Sequence, residues 1–283
     1  MKKIGILGTG NIGTDLLIKL IKLGYKDIAF VGRRENSEGI QKAFSLGVNS
    51  STEGIDYFKK NTNYDVVFDC TNAFDAIEHY SILSKLNIKV IDLTPAKNGH
   101  ICVPTINGDD IQKYDNINMI TCGGQASLPM INAICQDIED VLYIEVVSQI
   151  ASKSAGMSTR INIDNYIETT KYAIRKFSNA QNCKVILNIN PAIPCVDMQT
   201  TIFIKLKDLS NINFENIVDN VYKRLKLIKE YVPYYELVMP PMINENDILM
   251  LSVKVKGTGD YLPSYSGNLD IINCAAIKVL ENL

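Results

Sequence analysis

Three glycines near the start of the chain have the spacing of a nucleotide-binding turn. Gly8, Gly10 and Gly13 form the pattern Gly-x-Gly-x-x-Gly within GTGNIG. An apolar stretch precedes the pattern, and apolar residues at helical spacing follow it. In this context the first glycine permits a tight turn, the second lets a pyrophosphate approach the backbone, and the third allows helix and strand to pack closely. The pattern therefore predicts a dinucleotide site at a helix N-terminus.

Two arginines after the second apolar stretch bear on which dinucleotide is bound. The chain reads RRENSEG at this point, so Arg33 and Arg34 precede the first acidic residue, Glu35. An acidic residue here holds the ribose 2′-hydroxyl of NAD, whereas a guanidinium group holds the 2′-phosphate of NADP. Of the two forms of NAD(P), the arginine pair favours NADP(H). A solvated arginine pair on a loop is the alternative interpretation.

Cys122 is the candidate nucleophile. It lies in NMITCGGQASLPM, between an apolar stretch and two glycines, where a fifth strand is expected to end and a helix to begin. Ligands bind at the carboxyl edge of such sheets, and backbone N–H groups at a helix start lower a thiol pKa and stabilise an oxyanion. Cys122 could add to an aldehyde and, after hydride transfer, hold a thioester. The other six cysteines are expected to be small buried residues.

Composition excludes several other classes of protein. The seven cysteines form no Cys-x-x-Cys pair, and neither of the two histidines has ligand spacing to a cysteine, so we expect no disulfide framework and no metal site. The net charge of −2 gives no reason to expect a nucleic acid as partner. No stretch approaches the roughly 20 apolar residues of a membrane helix, so we expect no membrane partner. Polar residues soon follow the initial Met-Lys-Lys, which favours a cytoplasmic protein without a signal peptide.

The elements that must position these residues fall into two groups. Before Cys122, strands alternate with helices, which predicts a doubly wound parallel sheet. After Cys122, long strands with helices between them predict an α+β domain with a mixed or antiparallel sheet. The first group comprises strands at 2–7, 27–32, 64–70, 89–94 and 117–121, and helices at 12–24, 38–46, 52–60 and 73–86. The second comprises helices at 127–139, 162–178, 214–232 and 267–283, and strands at 142–152, 184–189, 200–207, 235–239 and 247–256.

Several stretches resemble, in order, the blocks of one known family. They are GILGTGNIGTDLLIK, VVFDCTNA, VIDLTPA, NMITCGGQASLPM, ASKSAGMSTRINID, ETT and YLPSYSGNLDI. Along nearly its whole length the chain resembles the short acetaldehyde dehydrogenases (acylating), which convert an aldehyde, NAD and coenzyme A to an acyl-CoA. The resemblance implies a fold like that of glyceraldehyde-3-phosphate dehydrogenase. A Rossmann domain (1–123), completed by the C-terminal helix (266–283), would then flank a catalytic and dimerisation domain (124–265), and the protein would form a homodimer.

The resemblance also implies roles for individual residues and partners. Cys122 would be the acyl-thioester nucleophile, with a small aldehyde or acyl thioester as substrate and coenzyme A as co-substrate. Family members often pair with a 4-hydroxy-2-oxovalerate aldolase, which would make an aldolase of this type a partner. The implied nucleotide contacts are Thr9, Gly10, Asn11 and Ile12; Ser154, Ala155, Gly156, Met157, Ser158, Thr159, Arg160, Ile161 and Asn162; and Asn268.

The chain departs from the family's pattern at three places. Arg34 stands where the family has an acidic residue, which again favours NADP(H). Thr200 aligns with an aspartate that is a candidate general base, and Asp197 lies nearby but out of register. Met157 and Ser158 change the loop that reads GPGTR in the family. Since both histidines lie in the dinucleotide half, the sequence names no general base.

Three alternative functions stay open at this level. An NADPH-dependent reductase could act on a different acyl thioester, with a larger or carrier-bound acyl group. A phosphorylating dehydrogenase of the semialdehyde type could share the fold, although it would normally place a histidine base in the second domain. A dinucleotide-binding partner protein could have lost catalysis. The TCGGQA stretch around Cys122 opposes this last alternative.

Overall fold

The protein is built on two β-sheets. The structure is a computed structural model that describes residues 2–210 and 212–283, apart from the side chain of Ser158. The first sheet has seven strands and the second has five. Helices pack against both sheets, and each sheet contributes to its own large apolar core.

The first sheet is parallel, as the alternating pattern predicted. Its strand order is β3-β2-β1-β4-β5-β7-β6. The order reverses between β1 and β4, and in such sheets the crevice at the carboxyl ends of those strands binds ligands. The strands are β1 Ile4–Leu7, β2 Ile28–Val31, β3 Asn49–Ser51, β4 Val66–Asp69, β5 Lys89–Asp92, β6 His100–Ile101 and β7 Asn116–Asn118. The intervening helices are α1 Asn11–Lys22, α2 Glu38–Ser45, α3 Asp56–Lys60, α4 Ala73–Lys85 and α5 Pro104–Asn107.

The second sheet is mixed, in the order β11-β12-β10-β8-β9, with only β8 and β9 parallel. In β10, alternate residues such as Ile202 and Ile204 are fully buried under helices, whereas Phe203 between them lies on the opposite face. The strands are β8 Val141–Ala151, β9 Asn182–Asn190, β10 Met198–Leu206, β11 Tyr235–Ile243 and β12 Ile248–Val255. The helices are α6 Cys122–Cys135, α7 Met157–Ile161, α8 Ile163–Ser178, α9 Phe214–Lys229 and α10 Gly267–Asn282.

The C-terminal helix α10 returns to the first sheet. Its apolar residues Ile272, Val279 and Leu280 share a core with Leu16 and Leu20 of α1. The assignment of 1–123 and 266–283 to a Rossmann domain and of 124–265 to a second domain stays a prediction. None of the helices within 2–210 and 212–283 is both long and apolar enough to cross a bilayer.

The turn around the cysteine differs from the sequence prediction. The strand predicted at 117–121 ends at Asn118, and the helix predicted at 127–139 runs from Cys122 to Cys135. The two glycines after Cys122 disfavour a helix by intrinsic propensity, but Thr121 caps the helix N-terminus and tertiary packing holds the first turn. The strands β3 and β6 and the helices α5 and α7 were not predicted, because none of these short segments contains a run of three apolar residues.

Candidate active site

The glycine turn has the geometry that a bound pyrophosphate needs. Gly8 has φ of +113°, and a Cβ there would lie 2.6 Å from the Cys70 carbonyl oxygen. A Cβ at Gly13 would lie 1.9 Å from the Gly8 carbonyl oxygen. Gly10, by contrast, has no described heavy atom within 4 Å of its Cβ position and precedes α1 without a side-chain cap. The start of α1 thus has open space beside Gly10 and no side-chain cap, which are the conditions under which helix N–H groups bind an anion.

The two arginines after β2 have different surroundings. Arg33 forms an ion pair with Asp75 of α4. Arg34 is exposed and lines a cleft together with Gly10 and Ser37. Of the predicted pair, Arg34 is therefore the one that shares a cleft with the glycine turn.

Cys122 is the first residue of α6, and its neighbours hold it at that place. The Thr121 hydroxyl oxygen accepts a hydrogen bond from the Gly124 N–H at 2.9 Å, which caps the helix. Ile120 has φ of +66°, an uncommon conformation for a β-branched residue, and its N–H donates to the Asn118 side chain at 2.9 Å. Such strain costs on the order of 1–3 kcal/mol and clusters at functional sites.

A cavity of about 70 Å³ joins the cysteine to the predicted nucleotide segments. It has room for on the order of five water molecules. Cys122 lines it together with Ile12 of α1, Thr159 and Asn162 of the second predicted segment, and Asn268 of α10. The fold thus brings together residues that are up to 256 positions apart in the chain. Among the described residues, no charged side chain lines this cavity.

Burial dominates the electrostatics of the nucleophile. It raises the pKa of the Cys122 thiol to about 11, although the Gly123 N–H and the Tyr166 hydroxyl act in the opposite direction. The sequence led us to expect a lowered pKa at this helix start, and that expectation is wrong for the protein without ligands. The backbone donors are present, but desolvation of the thiolate outweighs them.

Several buried polar atoms at the cavity lack a partner within the described parts of the chain. They are the Thr94 hydroxyl, the Tyr166 hydroxyl and the side-chain oxygen of Asn268, and all three residues line the cavity. The Asn268 amide nitrogen donates to the Ser154 carbonyl at 3.4 Å, which leaves its oxygen free. Because unpaired buried polar atoms are costly, the cavity is suited to a ligand with its own amide or hydroxyl groups. A nicotinamide carboxamide has such groups.

The predicted segment from Ser154 to Asn162 contributes unevenly to this cavity. Thr159 and Asn162 line it, whereas Met157 and Ile161 are 74% and 61% exposed. The side chain of Ser158 lies outside the described part of the structure.

The Arg160 side chain forms hydrogen bonds within its own loop. Its guanidinium donates to the Ala155 carbonyl at 3.0 Å and to the Ser152 hydroxyl at 3.0 Å. The buried Ser154 hydroxyl donates to the Ala151 carbonyl at 2.9 Å. These contacts fix the shape of the loop that carries Thr159 to the cavity.

The candidates for a general base are all engaged elsewhere. Thr200 is fully buried, and its hydroxyl lies 2.9 Å from that of Ser148. Asp197 forms an ion pair with Lys256 at 3.8 Å. His79 pairs with Asp69 at 2.7 Å, and His100 stacks on Tyr114 with ring centroids 3.7 Å apart. None of Asp197, His79 and His100 lines the cavity.

Sequence reasoning missed Tyr166. A usable signal was present, because Asn162, Tyr166 and Thr170 follow at steps of four and so share one face of a helix. The sequence analysis also predicted that all six cysteines other than Cys122 are buried. This prediction is wrong for Cys70, Cys183 and Cys195, which are only half-buried.

Two family models and several curated proteins match the sequence of this chain. A family model described as "Prokaryotic acetaldehyde dehydrogenase, dimerisation" matches residues 122–263, and one described as "Semialdehyde dehydrogenase, NAD binding domain" matches residues 3–114. An acetaldehyde dehydrogenase of Spirochaeta aurantia is 49% identical over 99% of this chain and 93% of its own. One of Pectobacterium atrosepticum is 49% identical over 99% and 94%.

One solved structure has a similar fold, at a sequence identity too low to indicate function. Aspartate semialdehyde dehydrogenase II of Vibrio cholerae, complexed with ASA, superposes with a TM-score of 0.66 at 14% identity, covering 99% of this chain and 97% of that one.

Proposed function

The chain belongs to the acetaldehyde dehydrogenase family, and we propose that it interconverts a short aldehyde and an acyl-CoA by way of a thioester on Cys122. It is an NAD-linked oxidoreductase, as its family and its NAD-binding domain indicate. The observation that carries the assignment of Cys122 is its position in one cavity with Ile12 and Asn268. That position would bring a substrate carbonyl to the sulfur and to a nicotinamide at once.

The chemistry follows from the residues around the sulfur. The Cys122 thiolate adds to the aldehyde carbon, a C–S bond forms, and the carbonyl electron pair moves to oxygen. The N–H groups at the start of α6 would stabilise that oxyanion. When NAD(P)⁺ is bound, it accepts the hydride, and the carbonyl reforms as a thioester. The coenzyme A thiol then loses its proton and displaces the Cys122 thiolate, and in the reverse direction an acyl-CoA is reduced to the aldehyde.

We infer NADP(H) as the preferred nucleotide. Gly10, Asn11 and Ile12 would hold the pyrophosphate, and the unpaired oxygen of Asn268 would accept from the carboxamide. Arg34 supports the preference, because it lines the cleft next to Gly10 and could fork onto a 2′-phosphate. Arg33 is engaged by Asp75 and is a weaker candidate for that contact.

We infer a homodimer formed through the open face of the second sheet. The matching dimerisation family model covers this region. On the face opposite the helices, Phe203 lies beside Met250 in register, and Met250 lies beside Met242, which is 43% exposed. An apolar strip of this kind is typical of obligate interfaces. An aldolase partner and the cytoplasmic location stay predictions.

The other functions are not favoured. Family membership argues against a non-catalytic binding protein and against a different class of thioester. A phosphorylating dehydrogenase would need a base such as histidine, and neither His79 nor His100 lines the cavity.

A direct assay tests the proposal. The purified protein is mixed with acetyl-CoA and either NADPH or NADH, and nicotinamide absorbance is followed. Cys122→Ala should abolish turnover, and Cys135→Ala, which removes a buried thiol from the same helix, should retain it. Equal turnover in wild type and Cys122→Ala would overturn the assignment of the nucleophile.

A further inference from the structure

Tyr166 brings a buried hydroxyl to the nucleophile. It lies in the first turn of α8, is 6% exposed and lines the cavity with Cys122. A Cβ at Gly123 would lie 1.9 Å from the Tyr166 hydroxyl oxygen, so that oxygen occupies the space that a side chain at residue 123 would fill. The tyrosine oxygen therefore lies at the first turn of α6, beside the residue that follows Cys122.

Helix α8 is anchored so that this hydroxyl stays in place. The Thr170 hydroxyl donates to the Tyr166 carbonyl at 2.7 Å. The Thr170 oxygen also lies 2.7 Å from the Thr121 hydroxyl. Since Thr170 has a single proton and donates it within α8, Thr121 is the donor in this second bond. The residue that caps α6 is thus bonded to the helix that carries Tyr166.

The neighbours of the tyrosine oxygen leave its own proton uncommitted. The Ser148 hydroxyl and the Gly123 N–H both act to lower the pKa of Tyr166, so both lie beside its oxygen. Yet the hydroxyl makes no hydrogen bond of ordinary geometry to the rest of the described chain. Contacts at an empty site are often misaligned and tighten in the reacting complex.

The Cys122 sulfur is an acceptor near this proton. Burial raises the pKa of Tyr166 well above its usual value, and a negative charge on Cys122 raises it further. The Tyr166 hydroxyl therefore keeps its proton. The same hydroxyl lowers the pKa of Cys122 and thereby opposes the effect of burial. The titratable side chains that line the cavity are Cys70, Cys122 and Tyr166. A hydrogen bond to a charged acceptor is roughly twice as strong as one to a neutral acceptor.

We propose that the Tyr166 hydroxyl is a catalytic hydrogen-bond donor that stabilises the Cys122 thiolate and keeps its sulfur directed into the cavity. This inference rests on the proposed function, because it assigns a partner to the nucleophile of that reaction. The thiol proton leaves to solvent through the cavity, the sulfur keeps the electron pair, and the tyrosine proton stays on its oxygen. The same donor stabilises the thiolate again when coenzyme A displaces it from the thioester.

Ser148 and Thr200 are positioning residues in this account. Both are fully buried, and their hydroxyls lie 2.9 Å apart behind Tyr166. A chain of neutral hydroxyls therefore ends at the position where the family resemblance led us to expect an aspartate. It orients the tyrosine but takes no proton from the thiol.

The test measures the thiolate directly, without turnover. In wild type and Tyr166→Phe, Cys122 is alkylated with iodoacetamide between pH 7 and pH 9, and the modified Cys122 peptide is quantified by mass spectrometry. Loss of the Tyr166 hydroxyl should raise the pKa of the Cys122 thiol by about one unit. The fraction of Cys122 present as thiolate should then fall up to tenfold at each pH. Because a more basic thiolate is intrinsically more nucleophilic, the rate should fall about three- to tenfold.

The matched control is Tyr235→Phe. The Tyr235 hydroxyl is also buried against α6, where it donates to the Ala126 carbonyl at 2.6 Å, but it does not line the cavity. Its removal should leave the alkylation rate unchanged. Equal rates in Tyr166→Phe and wild type would overturn the proposal. Absence of turnover in the wild type would overturn the proposed function while leaving this rate comparison intact.

A second variant serves if Tyr166→Phe does not fold. Site-specific incorporation of 3-fluorotyrosine at residue 166 keeps the shape and makes the phenol more acidic, hence a better donor. Alkylation of Cys122 should then become faster. An unchanged or slower rate would overturn the proposal.

Discussion

The Thr121 hydroxyl lies 2.7 Å from the Thr170 hydroxyl and ties the start of α6 to α8. One of these helices begins with Cys122 and the other carries Tyr166. The hydrogen bond between Thr121 and Thr170 therefore joins the two helices that place Cys122 and Tyr166 at the cavity. This bond couples the position of the start of α6 to that of α8.

The first prediction concerns that bond. Thr121→Ala should lower the free energy of unfolding by about 1 kcal/mol, the usual cost of losing an N-cap side chain. It should also lower kcat, because the first turn of α6 loses its anchor. Thr121→Ser keeps the hydroxyl and should behave like wild type. Denaturant unfolding and steady-state kinetics measure both effects; a Thr121→Ala variant with wild-type stability would contradict the capping role.

The second prediction concerns the choice of nucleotide. Arg34→Ala should raise KM for NADPH about tenfold and leave KM for NADH nearly unchanged, because only NADPH carries the 2′-phosphate. Arg33→Ala is the matched control, since it removes a neighbouring arginine that is paired with Asp75. Equal effects of Arg34→Ala on the two nucleotides would show that Arg34 makes no contact with the phosphate.

The third prediction concerns pH. The thiol of Cys122 has a pKa raised to about 11, so its neutral form predominates at all lower pH values. The thiolate fraction, and with it the rate of alkylation of Cys122 in the unliganded protein, should rise roughly tenfold per pH unit from pH 7 to pH 10. Peptide-level mass spectrometry gives this rate. A plateau below pH 9 would contradict the raised pKa.

The fourth prediction concerns assembly. Phe203→Lys places a charge in the middle of the open sheet face and should convert the homodimer to monomer in size-exclusion chromatography with light scattering. Phe44→Lys is the control, because Phe44 is 79% exposed on α2, away from this sheet. If Phe203→Lys remains dimeric, the interface lies elsewhere.

Much of the fold was predictable from the sequence because its periodicity is strong. The strands β1, β2 and β4 are short, largely apolar and buried, β5 has the buried apolar pair Val90 and Ile91, and helices such as α1 and α9 have clear apolar faces. The start of α6 was misplaced because two glycines follow Cys122, and no local pattern encodes the capping by Thr121 together with the strained turn at Ile120.

The candidate site was only partly predictable, because its motifs can be read from the sequence but the packing between its helices cannot. Gly8, Gly10 and Gly13 form a motif that sequence alone carries, and Cys122 stands out by its place at the edge of the sheet. The spacing of Tyr166 with Asn162 and Thr170 places it on one helix face, but its approach to α6 depends on packing between two helices that sequence spacing does not express. The raised pKa of Cys122 was likewise hidden, since the balance between burial and backbone donors is set by packing.

An acyl group on Cys122 can be detected by mass spectrometry. The protein is incubated with acetyl-CoA in the absence of any nicotinamide nucleotide, then digested and examined by mass spectrometry. We predict an acetyl group on the Cys122 peptide that hydroxylamine removes, and none on the Cys135 peptide. An unmodified Cys122 in a preparation that turns over acetyl-CoA would contradict the account.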